Sequence, residues 1–148
     1  MPTDSEWEKH YRSLENMYHG APINRYFQPR LSIRKGETTI HIPVREDFFH
    51  AAKAAHGVLY FKAADDAAFF AANSVVKEGF VLTSNLNLTL LRPIKSGILR
   101  AEGRVIQHAT HLIIAESTLY DERDREIGRA IGNFAKSNIV LTEEIGYK

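Results

Sequence analysis

The stretch HGVLYFKAADDAAFFAANSVVKEG, residues 56–79, decides the architecture. Alanine, phenylalanine, leucine and tyrosine stand almost all round it, and Lys62, Asp65 and Asp66 are its only charges before Lys77. The helix it predicts therefore lacks a broad solvated face and must be wrapped by other elements. The chain supplies the wrapper. Leu82, Leu86, Leu88 and Leu90 alternate with Thr83, Asn85, Asn87 and Thr89, and further strands are expected over residues 98–108, 111–121 and 126–137. Short turns at 95–97 and 121–125 give the pattern of an antiparallel meander. Gly103, Gly128 and Gly132 fall inside these strands, where they permit sharp bending. The expected fold class is α+β, a curved antiparallel sheet around one long central helix.

Upstream, residues 30–34 and 38–44 read as a hairpin around Lys35-Gly36, with Ile40 and Ile42 alternating against Thr39 and His41. Trp7, Tyr11, Leu14 and Met17 recur at three- or four-residue steps and predict an amphipathic helix. That places a helical extension over about residues 1–20, ahead of the hairpin, within a single domain expected to span 1–148.

With 148 residues, 44% of them hydrophobic, and no cysteine, the chain has room for one core and no disulfide, cysteine-ligated zinc or cysteine nucleophile. This composition suits a reducing compartment, and a cytoplasmic location is the expectation. Nineteen basic residues against 18 acidic argue against a nucleic-acid partner. No apolar run approaches the roughly 20 residues that span a bilayer, so no membrane role is expected. Common catalytic signatures such as Gly-x-Ser-x-Gly, His-Glu-x-x-His and the phosphate-cradling glycine loop are absent. His108 and His111 lie at a strand junction without a carboxylate cluster, and no metal site is expected.

Two features of the central helix point to chemistry. Asp65 lies four residues after Phe61 and four before Phe69, so a carboxylate interrupts an aromatic stripe. Asp66, about 100° further round, has Lys62 four residues earlier as an ion-pair partner, whereas Asp65 has none in sequence. A hydrogen bond to backbone or a hydroxyl in a core niche is the plain alternative for Asp65. At the other end, His56-Gly57 opens the helix with unpaired N–H groups at the positive end of its dipole. Glycine at 57 lets a carbonyl oxygen approach closely, and an ordinary helix start is the plain alternative there. Eight residues separate Gly57 from Asp65, roughly 12 Å along the axis, too far to serve one reacting atom. If the two cooperate, the second comes from a copy whose helix runs antiparallel, so catalysis requires a two-fold homodimer.

HGVLYFKAADDAAFFAANS followed by TSNLNLTLLRPIKSG resembles the hotdog-fold acyl-CoA thioesterases, particularly the phenylacetic-acid-degradation (PaaI-like) type, over roughly residues 41–137. The resemblance implies a curved sheet around a long helix and subunits paired as a dimer or dimer of dimers. It also implies hydrolysis of an acyl-CoA without metal, with coenzyme A present only as part of the substrate. Carried over by residue, Gly57 is the backbone donor to the thioester carbonyl, and His56 orients the site or contacts substrate. Asp65 is then the catalytic carboxylate, read as a general base with direct nucleophilic attack as the other option, and Thr83 positions water.

Two positions depart from the family pattern: His50 replaces an asparagine, and Val58 replaces a second glycine beside the substrate. Arg92, Lys95, Arg104 and His111 are candidates for the coenzyme phosphates. A small or medium acyl group is expected, an aromatic one if Phe48, Phe49, Phe61 and Phe69 line its pocket and are not core. The alternative function is a binding protein of the same fold that holds an acyl-CoA or fatty-acyl ligand without cleaving it, for which His50 and Val58 speak. A hotdog hydratase or dehydratase and a purely structural dimerisation module are further readings.

Overall fold

The computed structural model describes all 148 residues. Two helices, α1 (Asp4–Gly20) and the short α2 (Asn24–Phe27), precede the hairpin of β1 (Arg30–Arg34) and β2 (Glu37–Pro43). The central helix α3 (Gly57–Ser74) follows, then β3 (Leu82–Leu90), β4 (Ile98–His108), β5 (Leu112–Tyr120) and β6 (Glu126–Ala135). The six strands form one antiparallel sheet in the order β1-β2-β4-β5-β6-β3, curled around α3 as the hotdog resemblance implies. No helix is long and apolar enough to cross a membrane.

The alanines of α3 explain how tightly the sheet closes on it. Ala63, Ala64, Ala67, Ala68, Ala71 and Ala72 are fully buried, so strands approach the helix backbone itself. A methyl group at Gly103 would sit 2.2 Å from the Ala67 carbonyl oxygen, so only glycine fits there. Two buried strand hydroxyls complete the contact: Thr38 donates to Ala67 O and Ser117 to Ala64 O, each at 2.6 Å. The helix is thereby held in register with the strands by polar bonds in an otherwise apolar core.

Two expectations need correction. The helix ends at Ser74, not Gly79, because buried Asn73 redirects the chain. Its amide donates to Val76 O and Gly79 O, and its carbonyl oxygen accepts from Val81 N, folding residues 76–81 back on the helix end. The meander holds for β4, β5 and β6, but β3 is not beside β4. It pairs with β6 at the far edge, where Gly132 lies opposite Leu86 and leaves room for it, and Gly128 lies opposite Leu90 and leaves room for Leu119 and Tyr60. The connection 91–97 consequently crosses the sheet end past the start of α3, pinned there by Tyr60 Oη to Arg92 O at 2.6 Å and Ala55 N to Ile94 O at 2.9 Å.

The two sheet edges differ. On β1 the outward-facing backbone is occupied by α1: Glu15 accepts from Ile33 N, His19 accepts from Leu31 N, and Arg12 donates to Ile33 O. The outer edge of β3 carries no such cover within the chain, and Leu82 and Leu90 there are exposed. An open edge with exposed leucines is a template for another strand.

Candidate active site

Asp65 sits midway along α3, facing the start of β3. Its Oδ1 accepts a 2.9 Å hydrogen bond from Thr83 Oγ1. The leucine–polar alternation of β3 would put Thr83 with Asn85 and Asn87, away from the helix. A register shift between Thr83 and Asn85 reverses it, so Thr83 lies opposite buried Phe134 and shares the inner face with Leu86, which lies opposite buried Gly132. Such an irregularity re-aims a side chain, here onto the carboxylate. Burial pushes the Asp65 carboxyl up to about 6, opposed by the Thr83 hydrogen bond and reinforced by the Asp66 charge. A carboxylate with that affinity for a proton is suited to general-base work near neutrality.

Asp66 has the partner expected of it, Lys62 Nζ at 2.6 Å, and a second one that the sequence did not reveal: the Tyr18 hydroxyl donates to it at 2.6 Å. Burial, and next the Asp66 charge, raise the Tyr18 phenol, so it remains a donor. Lys62 also lies over the Tyr18 ring at 5.1 Å and the Phe27 ring at 5.5 Å. This cluster fastens the end of α1 to α3 and leaves Asp65 as the carboxylate without an ion pair.

At the start of α3, His56 is the N-cap: its Nδ1 accepts from Val58 N at 2.9 Å, and Leu59 N reaches His56 O at 3.0 Å. Val58 and Leu59 N–H are thus occupied, and Gly57 N–H, the first amide of the helix, is left for an external acceptor. Val58 points its side chain into solvent in the single chain. His50 closes a tight turn, its Nδ1 accepting from Ala52 N at 3.0 Å.

Among the aromatic candidates, Phe48 belongs to the core and stacks on Phe27, Phe61 is exposed, and Phe69 lines a cleft of about 220 Å³ beside Asp65. Ile23, Phe70, Phe80 and Thr83 share that cleft.

The coenzyme candidates separate. Arg92 and Lys95 lie on the connection that crosses the start of α3. Lys95 lines a polar hollow of about 420 Å³ with Arg123 and Arg125, which sequence reasoning did not name. Arg125 is engaged by Asp121 at 2.8 Å, whereas neither Lys95 nor Arg123 has a salt-bridge partner. Arg104 is paired with Glu116 at 2.5 Å. His111 sits at the β4–β5 hairpin tip, at the sheet end opposite Gly57, so the fold does not bring these two together with Arg92 and Lys95 within one chain.

The chain matches the sequence pattern of the thioesterase superfamily over residues 52–127, which takes in the His56-Gly57 helix start, Asp65 and Thr83. The chain belongs to that superfamily. Membership makes thioester hydrolysis its class of activity. Two Saccharolobus solfataricus proteins with provisional esterase names, SSO2140 and SSO1253, are each 26% identical to this superfamily member. The first aligns over 70% of this chain and 74% of its own length, the second over 69% and 68%. Among solved structures, the Escherichia coli PaaI protein from the phenylacetic acid degradation operon superposes with a TM-score of 0.83 at 18% identity, covering 91% of this chain and 98% of its own. The Haemophilus influenzae thioesterase HI1161 gives 0.77 at 17% identity, covering 84% and 88%. These superpositions establish the hotdog architecture for this thioesterase-superfamily chain.

Proposed function

We propose that this protein is an acyl-CoA thioesterase whose working unit is a two-fold dimer, with Asp65 of one subunit acting on a thioester held by Gly57 N–H of the other. The observation that carries this reading is the antiparallel run of α3 and β3. Gly57 lies against Leu90 at one end of β3, and Asp65 bonds Thr83 at the other. A second copy added across the open β3 edge, about an axis near the middle of the strand, exchanges the two ends. It thereby sets each Asp65 beside the partner's Gly57 amide.

In that arrangement Asp65 takes a proton from a water that Thr83 helps to position. The water oxygen attacks the thioester carbon, and the carbonyl electrons move onto oxygen, where Gly57 N–H stabilises the charge. Collapse restores the C=O bond and breaks the C–S bond. The departing coenzyme thiolate takes back the proton from Asp65, leaving a carboxylic acid and a free thiol.

The reacting end of the acyl group enters the cleft beside Asp65, which Phe69 and Phe80 line. Lys95 and Arg123 serve the coenzyme phosphates from the hollow behind the crossing connection. The test is thiol release from a panel of acyl-CoAs by wild type and Asp65→Asn. Turnover lost in the variant supports the reading. Turnover that survives the substitution, or a folded dimer that binds acyl-CoA and releases no thiol, overturns it in favour of a binding protein.

A further inference from the structure

The cleft beside Asp65 shares part of its lining with a second hollow. Met17, Ala21 and Phe80 line both it and that hollow of about 740 Å³, which runs between the end of α1 and the C-terminal segment and is walled by Pro22, Ile139 and Ile145. One wall of the inner cleft is polar, with Asp65, Thr83 and the Lys62–Asp66–Tyr18 cluster. Away from that wall Met17, Ile23, Phe69, Phe70, Phe80, Ile139 and Ile145 give the two hollows apolar sides, with Asn16, Asn24, Glu143, Glu144 and Lys148 as the polar lining. A hollow with a base at one end and an open apolar run at the other fits a chain-shaped substrate.

Resting on the assignment of Asp65 above, we propose that the two hollows form one acyl channel. The thioester end of a long aliphatic acyl group lies at Asp65, and its tail passes Ala21 and Phe80 into the trough between α1 and the C-terminal segment. The residues that set chain length then lie in the helical extension and the tail, outside residues 52–127 of the superfamily match. Ala21 is the gate: its small side chain stands at the junction shared by both hollows. Ile145 marks the outer end and is exposed, so a polar substitution there leaves the core intact.

The experiment compares butyryl-, octanoyl- and palmitoyl-CoA turnover by wild type, Ala21→Trp and Ile145→Asp, together with binding of a dansyl-labelled undecanoic acid. Ala21→Trp is expected to lower kcat/KM for palmitoyl-CoA on the order of tenfold or more, the scale on which apolar pockets discriminate methylene groups, and to lower it several-fold less for butyryl-CoA. Ile145→Asp, which reaches only the outer trough, is expected to affect palmitoyl-CoA alone. Equal losses for all three substrates, or an unaltered chain-length profile in both variants, overturn the channel. If wild type releases thiol from none of the substrates, the thioesterase assignment fails separately and fatty-acid binding decides. Weakened binding in both variants upholds the channel, and binding equal to wild type overturns it.

Discussion

Thr83 Oγ1 donates to Asp65 Oδ1 at 2.9 Å, joining the first residues of β3 to the middle of α3. This bond stabilises the ionised carboxylate and so opposes the burial that raises Asp65 to about 6. In the reaction proposed above the base form is needed for turnover, so kcat/KM for wild type is expected to rise with pH through about 6 and level off above it. Thr83→Val removes the donor and is expected to move that midpoint upward. A pH–kcat/KM profile for both proteins checks this, and an unmoved or lowered midpoint would show that the hydroxyl does not tune the base.

Asp65→Asn separates activity from stability. In the folded chain Asp65 holds its proton to about pH 6, whereas an unfolded aspartate releases it near 3.8. Between those values the native state binds more protons than the unfolded state, so this group lowers stability as pH rises through the window. A neutral carboxamide at the same position carries no such penalty. The variant is expected to lose turnover by at least about a hundredfold and to gain about 1–3 kcal/mol at pH 7. Denaturant unfolding at pH 7 and pH 4 measures it, with the gain shrinking at the lower pH.

The shared site is testable by complementation. A Cβ at Gly57 meets only the Leu90 side-chain tip at 3.5 Å, so Gly57→Val is expected to fold while blocking approach to the amide. Asp65→Asn and Gly57→Val dimers are each expected to be inactive. Unfolded together in equal amounts and refolded, they form mixed dimers with one intact site, restoring about a quarter of wild-type activity. No recovery despite mixed dimers would place the acid and the amide in one chain.

His10 provides a stability probe remote from Asp65 and Gly57. Its Nε2 bonds Asn73 O at 2.8 Å and its Nδ1 the Tyr147 hydroxyl at 2.7 Å, tying α1 and the C-terminus to the end of α3. Burial lowers the imidazole below its ordinary value, so the unfolded chain takes up a proton first as pH falls. The stabilisation by neutral His10 is therefore present above about 6.5 and declines below it. His10→Gln is expected to cost about 1–3 kcal/mol at pH 7.5, and its deficit relative to wild type should narrow toward pH 5. A constant deficit would mean that His10 does not titrate on unfolding.

Much of this was legible in residue order, and for identifiable reasons. The alanine-rich α3 and the Lys62–Asp66 pair follow from helical periodicity, which is local. So do α1 and the isolation of Asp65 from any near partner. What escaped depends on non-local pairing. One irregularity in β3 turned Thr83 from the polar face to the carboxylate, and nothing in the leucine alternation announces it. The Tyr18 bond to Asp66 spans 48 residues, and the meeting of Lys95 with Arg123 depends on the register that sets the start of β4 beside the end of β5. Asn73 ended the helix through side-chain bonds to residues that pattern alone would continue as helix.

The contacts of Glu15, His19 and Arg12 with β1 have a consequence for assembly size. A ribbon of strands grows wherever backbone groups stand unoccupied, and these three side chains act as a chain terminator at one end of the sheet. In the dimer proposed above, growth through the β3 edge stops after a single addition, since each newcomer arrives with its own terminator. Strip away the first helix and both ends become sticky, so that the proposed closed pair would give way to an open-ended filament.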